Sequence, residues 1–417
     1  MSLYQRSVRR AEFLTTAASC CGVTGETVLT DSAIILLYAT SLGAGNSGAL
    51  FSTSLLPLFN GLAVIPMAGI AEKIGIRKLT LTACAISAIG YFLAAFAPFL
   101  GGAETVFLGI SCAALVQAGF IAGWFPLLNS FLLPERRVSF LGKMRFLHQL
   151  CATLFVLLSS RFLGKDPSTF QLQMTVLAAT VIFCGRFFCI LAVPEFPMQT
   201  GNASGSWFGN LKKAAGNSRL RKFSLYQCLF NLGSFGMLPL SLIYLKHLCV
   251  PENIIVFISG LSFIGMMLGY WGIKYAEKFS FRKITCGLGI LCLPTAIGFF
   301  CLRQTPGTAE YILIALSLMG TSFAVAAFSV ISSAVMMNCV PPDNAPMNMA
   351  FANAFYYGSA GLSRLILSWI TGMFWFEHCK NGFFGNGFGV LFFATGLLIL
   401  TAAVAAPFFL RDLSADK

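Results

Sequence analysis

Charge is the scarcest property of this 417-residue sequence, in which only 10% of residues are Asp, Glu, Lys or Arg. A soluble domain carries about 25%. The chain therefore cannot coat a water-facing surface of its size, which excludes a cytosolic enzyme, a secreted domain and a disordered segment. Acids number only 15 and histidines three. His148, His247 and His378 stand far apart without metal-ligand spacing, so neither a metal nor another cofactor is expected. No G-x-x-x-x-G-K-[S/T] stretch is present to cradle a nucleotide phosphate, which argues against direct ATP coupling. The 14 cysteines form no C-x-x-C or Cys/His cluster, and most sit in apolar runs as small hydrophobes. Cys249 and Cys379 share a loop side, with no other support for a bridge.

What is abundant is apolar. Hydrophobic residues make up 57% of the chain, and Phe alone contributes 42. A membrane-spanning helix needs about 20 mainly apolar residues. About twelve such runs occur, near 12–40, 48–71, 79–100, 105–130, 141–163, 170–193, 223–246, 253–274, 284–302, 310–338, 348–376 and 386–410. They are too long and continuous for the alternating strands of a membrane barrel. The basic start (Arg6, Arg9, Arg10) runs into the first of them with no cleavage signal, so it reads as an uncleaved span.

The net charge of +13 is explained by position, and no nucleic-acid partner is needed. The N-terminal segment, the second-to-third loop (Lys73, Arg77, Lys78), the fourth-to-fifth connection (Arg136, Arg137, Lys143, Arg145), the central linker and the eighth-to-ninth loop (Lys274, Lys278, Arg282, Lys283) share one side with the tail. The other side holds only Arg161, Lys165, Lys246, Arg303 and Lys380. Cytoplasmic loops are enriched in Lys and Arg, so both termini are expected in the cytoplasm. The longest connection, 194–222, ends in Trp207-Phe208-Gly209-Asn210-Leu211-Lys212-Lys213 and further cations. It reads either as an amphipathic helix on the inner leaflet or as a solvated basic linker. Asn202-Ala203-Ser204 matches a glycosylation sequon, which a cytoplasmic location makes accidental.

The chain also repeats itself. Ala71-Glu72-Lys73-Ile74-Gly75-Ile76-Arg77-Lys78-Leu79-Thr80 recurs about 205 residues later as Ala276-Glu277-Lys278-Phe279-Ser280-Phe281-Arg282-Lys283-Ile284-Thr285. Leu133-Pro134-Glu135 echoes weakly in Pro341-Pro342-Asp343. Two echoes at nearly one offset predict duplicated halves of six spans each, related by an axis along the membrane normal. The expected parts are a bundle over 1–193, a linker over 194–222 and a bundle over 223–417.

With these loops in view, the chain resembles the major facilitator superfamily. Glu72-Lys73-Ile74-Gly75-Ile76-Arg77-Lys78 matches the acid–base–x–Gly–x–base–base part of that family's loop between its second and third helices. The acid is Glu instead of the family's Asp, and the leading glycine position is Ala68, with Gly69 beside it. The resemblance implies an all-α polytopic membrane protein of about twelve helices in two pseudosymmetric six-helix bundles, working as a transporter and not an enzyme. It further implies that Glu72, Lys73, Gly75, Arg77, Lys78, Glu277 and Arg282 belong to a cytoplasmic gate, with Arg145 near them. Read from the residues alone, Gly75 serves a tight turn. Glu72 ends a helix, where the macrodipole disfavours an anion, so it calls for a cation such as Arg77.

Four charges lie well inside spans: Glu26, Asp31, Arg186 and Arg364. A charge at the bilayer centre costs about 2.5–3.5 kcal/mol on insertion scales, so each should face a cavity or a partner. Glu26 lies roughly 21 Å along its span at 1.5 Å per residue. The repeat carries it onto Asn231, with Gln227 one turn away. Arg364 is too deep to snorkel and calls for a carboxylate or an anionic ligand. Arg186, eight residues before Pro194, is read as snorkelling to the inner leaflet. Gln117, Asn129, His148, Gln149, Asn338, Asn353, Tyr356 and Tyr357 are further cavity candidates, each also able to act as a helix–helix hydrogen bond. Gly119/Gly123 and Gly265/Gly269 have spacing for close packing.

The expected function is secondary transport of a small solute by alternating access, coupled to protons through Glu26 or Asp31. The expected solute is a small polar or anionic metabolite, and the expected setting is a bacterial inner membrane, as a monomer. Glu26, Asp31, Asn231, Gln227, Arg364, Gln117 and Tyr356 are the candidate solute and coupling-ion residues. Drug or metabolite efflux on the same fold, and a non-transporting receptor or scaffold, are the alternatives. The resemblance also counts against multidrug efflux: the superfamily's drug–proton antiporters typically carry a Gly/Pro-rich motif in the fifth helix and an Arg in the fourth, whereas Cys151–Ser160 has neither Gly nor Pro and the fourth span has no Arg.

Overall fold

The fold comes from a computed structural model, whose described residues are 3–30, 32–132, 134–196, 207–276, 280–301, 307–339, 345–373 and 386–410. Among them, every regular element is a helix. The first part of the chain forms α1 (Leu3–Thr30), α2 (Ala33–Ser41), α3 (Asn46–Ile74), α4 (Ile76–Ala95), the short α5 (Ala97–Leu100), α6 (Ala103–Asn129), α7 (Pro134–Leu163) and α8 (Thr169–Leu191). After α9 (Trp207–Gly216) come α10 (Ser218–Ser234), α11 (Met237–His247), α12 (Glu252–Ala276), α13 (Phe281–Phe300), α14 (Thr308–Cys339), α15 (Ala345–Thr371) and α16 (Gly387–Phe409).

Among the described residues, ten stretches are long and apolar enough to cross a membrane, counting α10 and α11 as one, and the pair α1–α2, bent by 47°, makes an eleventh. The twelfth is α15. Its 27 residues reach about 40 Å at 1.5 Å per residue, while Asn348, Asn353, Ser359, Ser363, Arg364 and Ser368 lower its hydropathy. The run at 12–40 is thus two helices. Ser32 divides them by accepting the Ile34 N–H and capping α2.

Other boundaries have equally local causes. Gly75 closes α3 and opens α4 with no loop between them, at φ +91°, a region glycine enters without steric cost. Ser168 and Gln171 cap α8 reciprocally, and Asn217 and Asn386 cap α10 and α16. The linker expected over 194–222 carries α9 and the start of α10. Of its two readings, the helical one is realised over Trp207–Gly216. Asn210 and Ala214 are buried, Phe208 is exposed, and α9 packs on α15 and α10.

Within the first half α1 packs on α7 and α8, and α6 on α3 and α4; within the second, α12 on α14, α13 on α16, and α10 on α15 and α16. The halves meet chiefly through α3 with α15 and α7 with α12. Glycine lets these helices close up. A Cβ on Gly61 of α3 would collide with the Gly358 backbone of α15, and one on Gly265 of α12 with the Met319 carbonyl of α14. Phe13, Ile89, Phe99, Leu158, Trp369 and Phe408 are exposed. An apolar surface of this kind on a bundle of spanning helices faces lipid.

Candidate functional site

The interior of the first half is organised around one carboxylate. Glu26 on α1 accepts a hydrogen bond at Oε1 from Arg186 Nη1 on α8, and a second at the same oxygen from Gln117 Nε2 on α6. Arg186 is 1% exposed and Glu26 21%. The arginine carbon Cζ lies 4.1 Å from the centroid of the Phe120 ring and 5.1 Å from that of Phe183. Such cation–π contacts contribute about 2 kcal/mol when desolvated. The snorkelling expected of Arg186 is therefore replaced by an inward ion pair. The physical reason is that a carboxylate and two aromatic faces are within reach, while the inner leaflet offers only solvation.

Gly22 makes that arrangement possible. A Cβ there would overlap the Arg186 guanidinium, and one on Gly25 would fall 2.6 Å from the Phe183 Cβ. The absent side chains give the guanidinium its berth against α1. Gly22→Ala is expected to displace Arg186 and to lower the melting temperature by several degrees, checked by thermal unfolding of the purified protein. An unchanged melting temperature would show that Arg186 shifts freely.

A polar wall faces this cluster from α15. Tyr357 lies within electrostatic range of Glu26, Arg145 and Tyr270. Its ring meets that of Tyr356 edge-on at 5.2 Å. Asn231 on α10 donates from Nδ2 to the Tyr356 carbonyl at 3.1 Å and to Ser359 Oγ at 3.2 Å. Gln227, one turn earlier, is buried. On α7, His148 Nδ1 and Ser19 Oγ are 2.8 Å apart, and the His148 ring is 6.2 Å from that of Tyr270. Arg145 reaches across the halves to Ser333 Oγ at 3.4 Å.

Arg364 makes two hydrogen bonds to backbone oxygens. Nη1 donates to the Thr53 carbonyl at 2.8 Å, and Nε to the Phe235 carbonyl at 3.3 Å. A helical carbonyl is ordinarily bonded by the N–H four residues on. Four residues after Thr53 stands Pro57, and four after Phe235 stands Pro239. Proline has no N–H. Arg364 thus supplies donors to two carbonyls that prolines have freed.

The Ser47 end of the bundle is closed by polar contacts between the halves. Ser47 and Ser368 exchange hydroxyl-to-carbonyl bonds at 2.6 and 2.8 Å. Lys246 joins Thr40 to Glu252, and the Ala33 N–H donates to Ser259 Oγ at 3.3 Å. At the Gly75 end, Arg77 bonds Glu195 at 2.7 Å and the Leu191 carbonyl at 3.1 Å. These partners belong to the end of α8 and the segment just after it. Lys73 and Lys78 are exposed and Arg282 is half-buried. Asp31, Glu277, Cys379 and Asn202–Ser204 lie outside the described residues, as do the side chains of Glu72, Asn129 and Asn338.

The Major Facilitator Superfamily profile matches residues 14–363. Three solved structures share the fold across nearly their whole length. A singly substituted mutant of the nucleoside transporter NupG aligns at TM-score 0.68 and 15% identity, over 97% of this chain and 99% of that one. Unsubstituted NupG aligns at 0.66 and 14%, with the same coverage. The transporter FucP in its outward conformation aligns at 0.64 and 14%, over 95% and 99%. No curated protein sequence matches.

Proposed function

The chain belongs to the major facilitator superfamily, and from that premise we propose that it is a proton-coupled secondary transporter of a small polar solute. Two six-helix halves, 1–193 and 223–417, rock about a central site by alternating access. The linker 194–222 and both termini lie in the cytoplasm, as the Lys/Arg asymmetry argues. The Glu72–Lys78 loop, Arg145, Glu277 and Arg282 form the cytoplasmic gate. The contacts at the Ser47 end then close the outer side.

The observation that carries this reading is the carboxylate of Glu26, held by Arg186 and Gln117 between helices and facing Tyr357 of the other half. Ionised, Glu26 neutralises Arg186 and is anchored within the first half. Protonated, it no longer binds the guanidinium electrostatically, and Arg186 keeps only its aromatic neighbours. The acid is then neutral and free to turn toward α15. A proton thereby changes which half holds Glu26, and an ion gradient can act through such a two-state contact.

A thermal-shift screen against metabolite pools identifies the solute, and proteoliposomes with an imposed pH gradient test the coupling. The Glu26→Gln variant is expected to lose gradient-driven accumulation while still exchanging solute across the membrane. Wild-type accumulation by this variant would remove Glu26 from the coupling step.

A further inference from the structure

The helix α9 stands at the foot of a membrane span. Asn217 alone separates its last residue, Gly216, from Ser218, where the spanning stretch Ser218–His247 begins. The Asn217 side chain also caps α10. Lys246, near the far end of that stretch, bonds Thr40 at the Ser47 end of the bundle. α9 therefore lies at the opposite, Gly75 end, at the level of the lipid headgroups.

At 3.6 residues per turn α9 divides into distinct sides. Asn210 and Ala214 are buried and mark the side turned to α10 and α15. Leu211, Ala215 and Phe208 follow one another around one flank, the first two half-buried and Phe208 67% exposed. Lys213 lies on the other flank, and Lys212 lies opposite the buried side. Both lysines are exposed, and among the described residues neither has an ion-pair partner. Arg219, Arg221 and Lys222 at the start of α10 are exposed as well and extend the positive charge.

A solvated basic linker accounts for the cations but leaves Phe208 in water. A helix lying in the membrane interface accounts for both. Its apolar flank enters the boundary of the acyl chains, and its lysines stay with the headgroups. Zwitterionic headgroups carry no net charge, whereas an anionic leaflet attracts every Lys or Arg near its surface. The charge of α9 thus selects among lipids.

We propose that α9 is a binding site for anionic phospholipid, of the phosphatidylglycerol kind, in the leaflet at the Gly75 end. Phe208 and Leu211 meet the acyl chains, and Lys212 and Lys213 meet the phosphate groups. Because α9 packs on α10 and α15, the bound lipid moors the second half of the chain. The mooring bears on α15, the helix through which that half meets α3. The site is independent of which solute is carried.

The test places the full-length protein in nanodiscs of phosphatidylcholine alone, or with about a quarter phosphatidylglycerol, and follows amide hydrogen exchange over Trp207–Gly216. Exchange is expected to be about tenfold slower in the anionic discs, as two lysines near a charged surface imply. Salt at about 1 M should remove most of the difference. The double variant Lys212→Gln with Lys213→Gln should exchange alike in both discs, with the spanning helices as protected as in the wild type. Phe208→Ser should exchange faster than the wild type in both discs, since it loses apolar contact and no charge. Equal exchange of the wild type in the two discs would overturn the lipid site. Slowing that survives in the lysine double variant would overturn the part given to the lysines. Slowing reproduced by inorganic phosphate in phosphatidylcholine discs would replace the lipid by a free anion. Unchanged exchange in Phe208→Ser would leave that ring in water and overturn its insertion.

Discussion

Replacing Arg186 by leucine is expected to cost the folded protein about 3–5 kcal/mol and to abolish gradient-driven transport. The cost arises less from the lost pair than from the Glu26 carboxylate left behind in the interior of the first half. Glu26 retains 21% exposure, which pulls the figure toward the lower end of that range. The double variant Arg186→Leu with Glu26→Gln tests the origin of the effect. It removes both charges, so most of the stability should return, as it does when buried ion pairs are replaced whole. Coupling should not return, because the carboxylate proposed to carry the proton is gone. Thermal unfolding and pH-driven uptake, measured on the single and double variants, separate the two. Equal destabilisation in both would mean that the stranded carboxylate is not the cause.

The same pair shows what is legible in a sequence. Scarce charge, apolar run lengths and the repeat of Ala71–Thr80 in Ala276–Thr285 are enough for the all-α two-half membrane fold, because lipid leaves few architectures open. Glu26 stands out for the same reason, as a charge in a span must have a cause. Its partner does not, because a sequence gives the depth of Arg186 but not the rotation of α8 about its axis. Eight residues from Pro194 are compatible with either direction. Gly22 holds the missing information, since a glycine facing a large side chain marks a berth, but nothing in the sequence says which helix faces it. Arg364 is different. Pro57 and Pro239 each announce a carbonyl without its helical donor, and a buried arginine with no acid deep in a span of its own half can be matched to them.

Arg364→Leu is accordingly expected to unfold more easily by about 2–6 kcal/mol, at roughly 1–3 kcal/mol for each of the two buried carbonyls left without a donor. The loss should fall on the α3–α15 contact, since Arg364 joins α15 to Thr53 of α3 and to the break between α10 and α11 at Phe235. The prolines make the account checkable. Pro57→Ala returns an N–H four residues after Thr53, within a helix continuous from Asn46 to Ile74. Added to Arg364→Leu, it should recover about 1 kcal/mol or more by satisfying the Thr53 carbonyl internally. In the wild-type background Arg364 already serves that oxygen, so Pro57→Ala alone should change stability far less. Melting temperatures of the three variants form a cycle whose coupling term isolates the arginine-to-carbonyl bond. A vanishing coupling term would assign Arg364 to some role other than completing these helices. A clear one would tie Arg364 to the completion of α3 and of the break between α10 and α11.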